Sequence, residues 1–242
     1  MELIVEFIAI LTLTVFQSIF GVGLLLFGTP IFLFIGYNFE STLILLLPVS
    51  ITISFLQIIS QKKSIKSLVP EYNIFCLPFL ILFLVVTIKF GDSLDIKIYV
   101  SIFLIISSLL ILNKNRISFI NEYLIKYRKL CLILIGTIHG STNMGGGFLS
   151  IFSTSVNKND KELTRNYISY GYFVMGVIQY ITILFIGLTN IDFMKLCYLF
   201  LPLVLYFPSQ KIFQKIDNQI FIKIINYIAL IFGIFALILS LI

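Results

Sequence analysis

Charge is scarce in this sequence. Asp, Glu, Lys and Arg make up 12% of its 242 residues against 59% hydrophobic, and they gather in a few short loops. No room is left for a water-soluble domain, which needs a charged surface. Histidine occurs once, as His139, and the three cysteines, Cys76, Cys131 and Cys197, lie in or beside apolar stretches without Cys-x-x-Cys spacing. They read as small packing residues, so neither a disulfide framework nor a metal site is expected. No glycine-rich loop ending in Lys-Ser or Lys-Thr is found, so direct drive by ATP would need another subunit, and no cofactor is implied. The N-terminus lacks the basic opening and small-residue cleavage site of a signal peptide, and its retention is expected.

What fills the chain instead is a series of apolar runs of roughly 17–24 residues, each long enough to cross a hydrocarbon core of about 30 Å. Backbone groups in lipid must satisfy one another, so these runs are helices; strands of alternating polarity, as a barrel requires, are missing. The fold class expected is an all-α polytopic membrane protein. Its net charge of +6 comes from Lys and Arg in loops flanking the apolar runs. There they set topology, and nucleic acid is excluded as a partner.

The chain is organised around a polar, glycine-rich break, His139-Gly140-Ser141-Thr142-Asn143-Met144-Gly145-Gly146-Gly147, and a weaker copy 122 positions earlier. In the copy Gln17 stands for His139, Gly21 for Asn143 and Gly23 for Gly145, while Leu24-Leu25 replace Gly146-Gly147. The same offset places Gln57 on Gln179, Glu40 on Glu162, Thr42 on Thr164, Lys89 on Lys211 and Asp95 on Asp217 without a gap. Polar matches at one constant offset indicate a duplication into residues 1–120 and 121–242. In the first half residues 3–36 form an interrupted apolar segment, and spans follow at 41–60, 72–88 and 96–112. In the second half only about ten apolar residues, from Leu130, precede His139, too few to span, which points to a re-entrant hairpin. Spans at 164–187, 193–210 and 220–242 complete it.

Loop charge orients the two halves. The 61–71 loop carries Lys62, Lys63 and Lys66 and the 89–97 loop is balanced, whereas near 188–192 no basic residue occurs and 211–223 carries Lys211, Lys215 and Lys223. The connector 113–129 is strongly basic and expected to be cytoplasmic. A bias that swaps between equivalent loops indicates an inverted repeat, each half with about three transmembrane helices plus a glycine-rich broken or re-entrant helix, and both termini outside. Residues 3–20 are apolar enough to span alone, which would move the N-terminus inward.

A helix broken at membrane depth must turn its freed backbone groups toward protein or a water-filled cavity. A half-helix beginning at Gly146-Gly147 would aim its N–H groups at that cavity, and a second, beginning near Gly23, would approach from the other side; together they suit an anion. Gln17, Ser18, His139, Ser141, Thr142 and Asn143 would add neutral donors, with Gly21, Gly23, Gly145, Gly146 and Gly147 allowing close approach. Gln57 and Gln179 are placed on the walls, interhelical hydrogen bonding being their alternative role. His139 reads either as a proton relay or as a neutral hydrogen-bonding residue. Gly21, Gly23 and Gly28 read equally as packing glycines, and Arg165 reads either as a topology anchor or as an attractor for the anion.

Gly21-Val-Gly23 followed by Pro30, with Asn143-Met-Gly145-Gly146-Gly147 in the second half, resembles the paired signatures of the sulfite exporter TauE/SafE family, also called toluene-sulfonate uptake permeases. The chain departs from that pattern at Leu24-Leu25, where more glycine is usual, and at Phe152, where proline is common. The resemblance covers nearly the whole chain and implies transport of sulfite, sulfonates or related organosulfur anions across the plasma membrane. The partners expected are thus a small anionic substrate and the lipid bilayer, with proton coupling or simple uniport favoured and a homodimer left open. A passive anion channel and a non-transporting scaffold are the alternatives. An enzyme would have only His139 and Ser141 as a pair, without an orienting carboxylate, and is not expected.

Overall fold

The computed structural model describes residues 2–61, 69–90, 117–157, 160–186 and 193–224, together with positions 102, 105, 227, 230 and 234, and every regular element among them is helical. The span expected at 96–112, most of the 61–71, 89–97 and 188–192 loops and the end of the 220–242 span lie outside the described residues.

Helix α1 (Glu2–Phe20) stops where Gly21 takes a φ of 80°, and Gly23, at φ 146°, hands the chain to α2 (Leu24–Ile35). Gly36 ends α2 in the left-handed conformation, and the Tyr37 N–H closes back on Phe32 O at 3.0 Å. Asn38 opens α3 (Phe39–Ser60) as its cap, its Oδ1 accepting from Ser41 N at 2.7 Å. Then come α4 (Val69–Phe75), α5 (Leu77–Phe90), α6 (Ile117–Lys126), α7 (Arg128–Thr142) and α8 (Gly146–Val156). Asp160 caps α9 (Lys161–Ile186) by accepting from the N–H groups of Glu162 and Leu163, and a short 3₁₀ stretch, η1 (Phe193–Leu199), leads into α10 (Phe200–Lys215). Among the described residues, four stretches are long and apolar enough to cross a membrane: Leu3–Phe20, Phe39–Ser60, Val69–Phe90 and Lys161–Ile186. The second of these carries Pro48 within its helix.

Three expectations need correction. The connector 113–129, read as a loop, carries α6 and the start of α7. The second break is narrower than the polar run suggests, because α7 continues through His139, Gly140, Ser141 and Thr142. The Ser141 and Thr142 hydroxyls bond back to Thr137 O and Ile138 O, which keeps them within the helix, and only Asn143 turns to positive φ. At 15 residues, α7 is still about 22 Å long and too short to cross. Finally, Cys76 and Cys131 are buried, as packing residues should be, but Cys197 is exposed.

Element starts repeat at the offset found among the polar residues. Leu24 and Gly146 begin α2 and α8, Phe39 and Lys161 begin α3 and α9, and each pair is 122 positions apart. Packing follows the same exchange. Helices α3 and α9 run antiparallel in contact, with Gln57 against Ser169, Phe55 against Phe173 and Ile51 against Gly176. Helix α5 lies beside α7, and its counterpart α10 lies beside α1, the counterpart of α7. Both of these pairs are parallel: Cys76 meets Gly136 and Leu80 meets Gly140, while Phe7 meets Tyr198 and Ser18 meets Gln210.

The contact of α5 with α7 is backbone on backbone. A Cβ on Gly136 would stand 2.1 Å from Cys76 O, and one on Gly140 would stand 2.4 Å from Leu80 O. Two glycines four residues apart present one bare stripe of helix, the spacing by which small residues bring membrane helices together.

Two ion pairs hold opposite ends of the molecule. Near the start of α3, buried Glu6 of α1 accepts from the Tyr37 hydroxyl and from Lys195 Nζ of η1, the latter at 3.1 Å. Near the end of α3, Arg128 of α7 pairs with Glu71 of α4 at 2.9 Å, with the arginine half exposed.

Candidate functional site at the two chain breaks

The two breaks share one frame. In the first, Gly21 N–H bonds to Gln17 O at 2.7 Å, and in the second Asn143 N–H bonds to His139 O at 2.8 Å. Gly21 and Asn143 both adopt positive φ, a conformation glycine takes freely and asparagine takes more readily than most residues. Each carbonyl also accepts from a glutamine of the neighbouring long helix: Gln57 Nε2 reaches Gln17 O at 2.8 Å, and Gln179 Nε2 reaches His139 O at 3.4 Å. Both glutamines therefore brace a broken helix, the interhelical role rather than a free place on a wall.

The breaks differ in what their side chains have left over. Gln17 donates to the hydroxyls of Ser50 at 2.9 Å and Ser54 at 3.2 Å, and its Oε1 accepts from Leu24 N–H at the start of α2. Gln57 is engaged at both ends, since its Oε1 accepts from Ser169 Oγ at 2.8 Å. Around the first break the Ser18 hydroxyl and the Nε and Nη1 of Arg165, which packs on Gly21, have no partner. Replacing Gln17 by Leu would strand the Leu24 N–H and two serines. Thermal unfolding in detergent should show a loss of about 2 kcal/mol, roughly 4–8 °C for a chain of this size. An unchanged melting temperature would contradict this bracing role.

At the second break the same positions hold a cluster of unanswered polar atoms. His139 is fully buried with neither ring nitrogen bonded, and its ring stands edge-on to Tyr172 at 5.7 Å. The Tyr172 hydroxyl, also buried and unbonded, lies 1.5 Å from where a Cβ on Gly146 would be, at the N-terminus of α8. Asn143 donates to Thr29 Oγ1 at 2.9 Å and leaves its Oδ1 unpaired, and Gln179 leaves its Oε1 unpaired. No side chain caps α8 at Gly145. Buried polar groups are nearly always bonded, so five unbonded atoms near the start of α8 set this break apart as the candidate site.

Of the residues singled out in the sequence, His139, Asn143, Gly145, Gly146, Gly147 and Gln179 gather here, whereas Gln17, Ser18, Gly21, Gly23 and Gln57 gather at the first break. Ser141 and Thr142 are corrected: their hydroxyls are taken up by α7 itself, and neither offers a donor. Ser141 is likewise not bonded to His139, so the one pair considered for catalysis is not a pair. Gly28 proves to be a packing glycine, its missing Cβ replaced by Leu46 at 2.8 Å, while Gly21 and Gly23 serve the turn. Tyr172 and Thr29 went unnoticed in the sequence. Tyr172 was within reach, because it lies seven residues before Gln179 on the same helical face and aligns with Ser50 at the common offset.

Comparison with curated proteins and with solved structures gives no match. Among protein families, the model of the sulfite exporter TauE/SafE family matches residues 6–237. The chain is therefore a member of the sulfite exporter TauE/SafE family, a family of membrane transporters.

Proposed function

We propose that this chain is a multi-pass permease of the plasma membrane that moves a small sulfur-containing anion, such as sulfite or a sulfonate, by alternating access between two inverted repeats, residues 1–120 and 121–242. The observation that carries the proposal is the cluster of unpaired atoms at the second break. Tyr172 OH, the ring N–H of neutral His139 and the open N-terminus of α8 are neutral donors in a buried setting, where an anion is held without a compensating full charge and can still leave. Family membership supplies the class of substrate. Support for the repeats comes from the shared element starts, the antiparallel contact of α3 with α9 and the exchanged pairing of α1 with α10 and α5 with α7. Helices related by an axis in the membrane plane meet in this way. Proton coupling is assigned to His139, whose two unpaired nitrogens can carry a proton beside the anion.

The test is uptake of labelled sulfite, sulfate, taurine and sulfoacetate into liposomes holding the purified protein, with and without a proton gradient. Tyr172→Phe removes one donor and adds no bulk. A hydrogen bond to a charged group contributes about 1.5–3 kcal/mol, so the half-saturating concentration should rise roughly tenfold or more. His139→Gln, which installs the residue of the first break, should leave flux that no longer responds to the gradient. Absence of flux for every anion, or an unchanged half-saturation in folded Tyr172→Phe, would overturn the proposal.

A further inference from the structure

We infer that Arg165 forms a second anion-binding station, at the first break, which holds an oxyanion by its guanidinium before or after the anion occupies the second break. The inference rests on the proposed transport of an anion and adds to it a fixed positive charge that the His139 and Tyr172 cluster does not contain.

Arg165 sits one turn into α9 and is 4% exposed. Its Nε and Nη1 have no hydrogen-bond partner. Glu162, one turn earlier, acts on it electrostatically but bonds neither of these nitrogens. The guanidinium lies over the Phe213 ring of α10, with Cζ 3.5 Å from the ring centroid. A ring face steadies a cation and occupies none of its N–H groups. The turn at Gly21 closes the other side, since a Cβ there would stand 3.0 Å from Arg165 Cγ.

The neighbouring cation makes the contrast. Lys161 approaches the same ring at 4.9 Å, yet its ammonium is bonded to Phe213 O at 3.2 Å and to Ile216 O, the carbonyls that end α10. That is the ordinary use of a lysine at a helix C-terminus. Arg165 has no comparable use. A buried cation with open N–H groups is destabilising unless an anion answers it, and the open Nε and Nη1 of Arg165 are two separate donors on different edges of the guanidinium. Sulfite and sulfonates present several oxygens to separated donors, whereas a halide presents a single centre. Arg165 and Tyr172 are seven residues apart on α9, so the two stations stand about 10 Å apart along one helix.

Arg165→Gln and Arg165→Lys should be compared with the wild-type protein in two measurements. The first is the half-saturating concentration for labelled sulfite in liposomes, with chloride as competitor; the second is the melting temperature in detergent, with and without sulfite. Arg165→Gln should raise half-saturation at least tenfold and lose most of the stabilisation by sulfite. Its melting temperature without anion should be equal to or above that of wild type, because a buried unpaired charge is gone. Arg165→Lys should fall between, and chloride should not compete. A merely structural arginine gives the reverse: a lower melting temperature without anion, and unchanged half-saturation. That result, or competition by chloride equal to that by sulfate, overturns the second station while transport stands. If Arg165→Gln does not fold, the half-saturation of Arg165→Lys decides alone. A wild-type protein that neither transports sulfite nor is stabilised by it overturns the proposed transport and this inference together.

Discussion

Gly136→Leu and Gly140→Leu should each prevent recovery of folded protein from the membrane. The carbonyl oxygens of Cys76, which leads into α5, and of Leu80 within it occupy the space that any side chain on these glycines would need, at 2.1 and 2.4 Å from the two Cβ positions. A flexible side chain could move aside, but a helix backbone can yield only by shifting α5 as a whole. Forcing extra bulk into a packed interior costs about 1–3 kcal/mol when side chains can adjust, and more when they cannot. Even Gly136→Ala should therefore be costly. Gly36→Ala separates this effect from backbone strain, since nothing stands within 4 Å of its Cβ position but its φ is 105°. The strain should cost about 1 kcal/mol. Yield and melting temperature in detergent, compared across the series, check the ranking. A Gly136→Ala protein as stable as Gly36→Ala would mean that α5 and α7 are not in backbone contact.

Gly146→Leu should be nearly as damaging, for a different reason that one further substitution can reveal. Here the obstacle is the Tyr172 side chain, whose hydroxyl and Cζ would stand 1.5 and 2.4 Å from the added Cβ. Loss of about 3 kcal/mol is expected for the single variant. Tyr172→Ala should restore folding when combined with Gly146→Leu, because the new side chain then enters the space the ring has left. A double variant of this kind measures the coupling between the two positions. The rescued protein should remain inactive in sulfite uptake, since it lacks the tyrosine donor and carries an apolar group over the start of α8. Failure of Tyr172→Ala to rescue would show that something other than the ring excludes a side chain at Gly146.

The contrast between these two glycines shows what could be read in the sequence. Helical class, the two breaks and the starts of α2 and α8 follow from apolar run length and from glycines within apolar sequence, both of them local signals. The GlyxxxGly pair at 136 and 140 is an equally local signal, of helix packing rather than of chemistry. What stayed out of reach was the sharing of hydrogen bonds. Gln17 and His139 occupy equivalent positions, and nothing in either residue tells that one finds two serines and a backbone N–H while the other finds none. That outcome depends on Ser50 and Ser54 lying opposite Gln17, where Tyr172, at the position equivalent to Ser50, stands edge-on to His139. Only the offset between the halves, followed along both long helices, could have exposed the difference. Nor does sequence distinguish a hydroxyl turned back onto its own helix, as in Ser141 and Thr142, from one presented to a ligand.

The two ion pairs at the ends of α3 are unequal clasps, and the inequality bears on how the molecule can flex. Separating η1 from α1 strips buried Glu6 of Lys195, leaving a carboxylate inside protein without its cation and with the Tyr37 hydroxyl alone. Breaking a buried pair costs several kcal/mol. Separating α4 from α7 parts Glu71 from a half-exposed Arg128, which water and salt can replace for about 0–1 kcal/mol. The molecule is therefore held more stiffly at the Glu6 pair than at the Glu71 pair. Ionic strength should loosen only one of them.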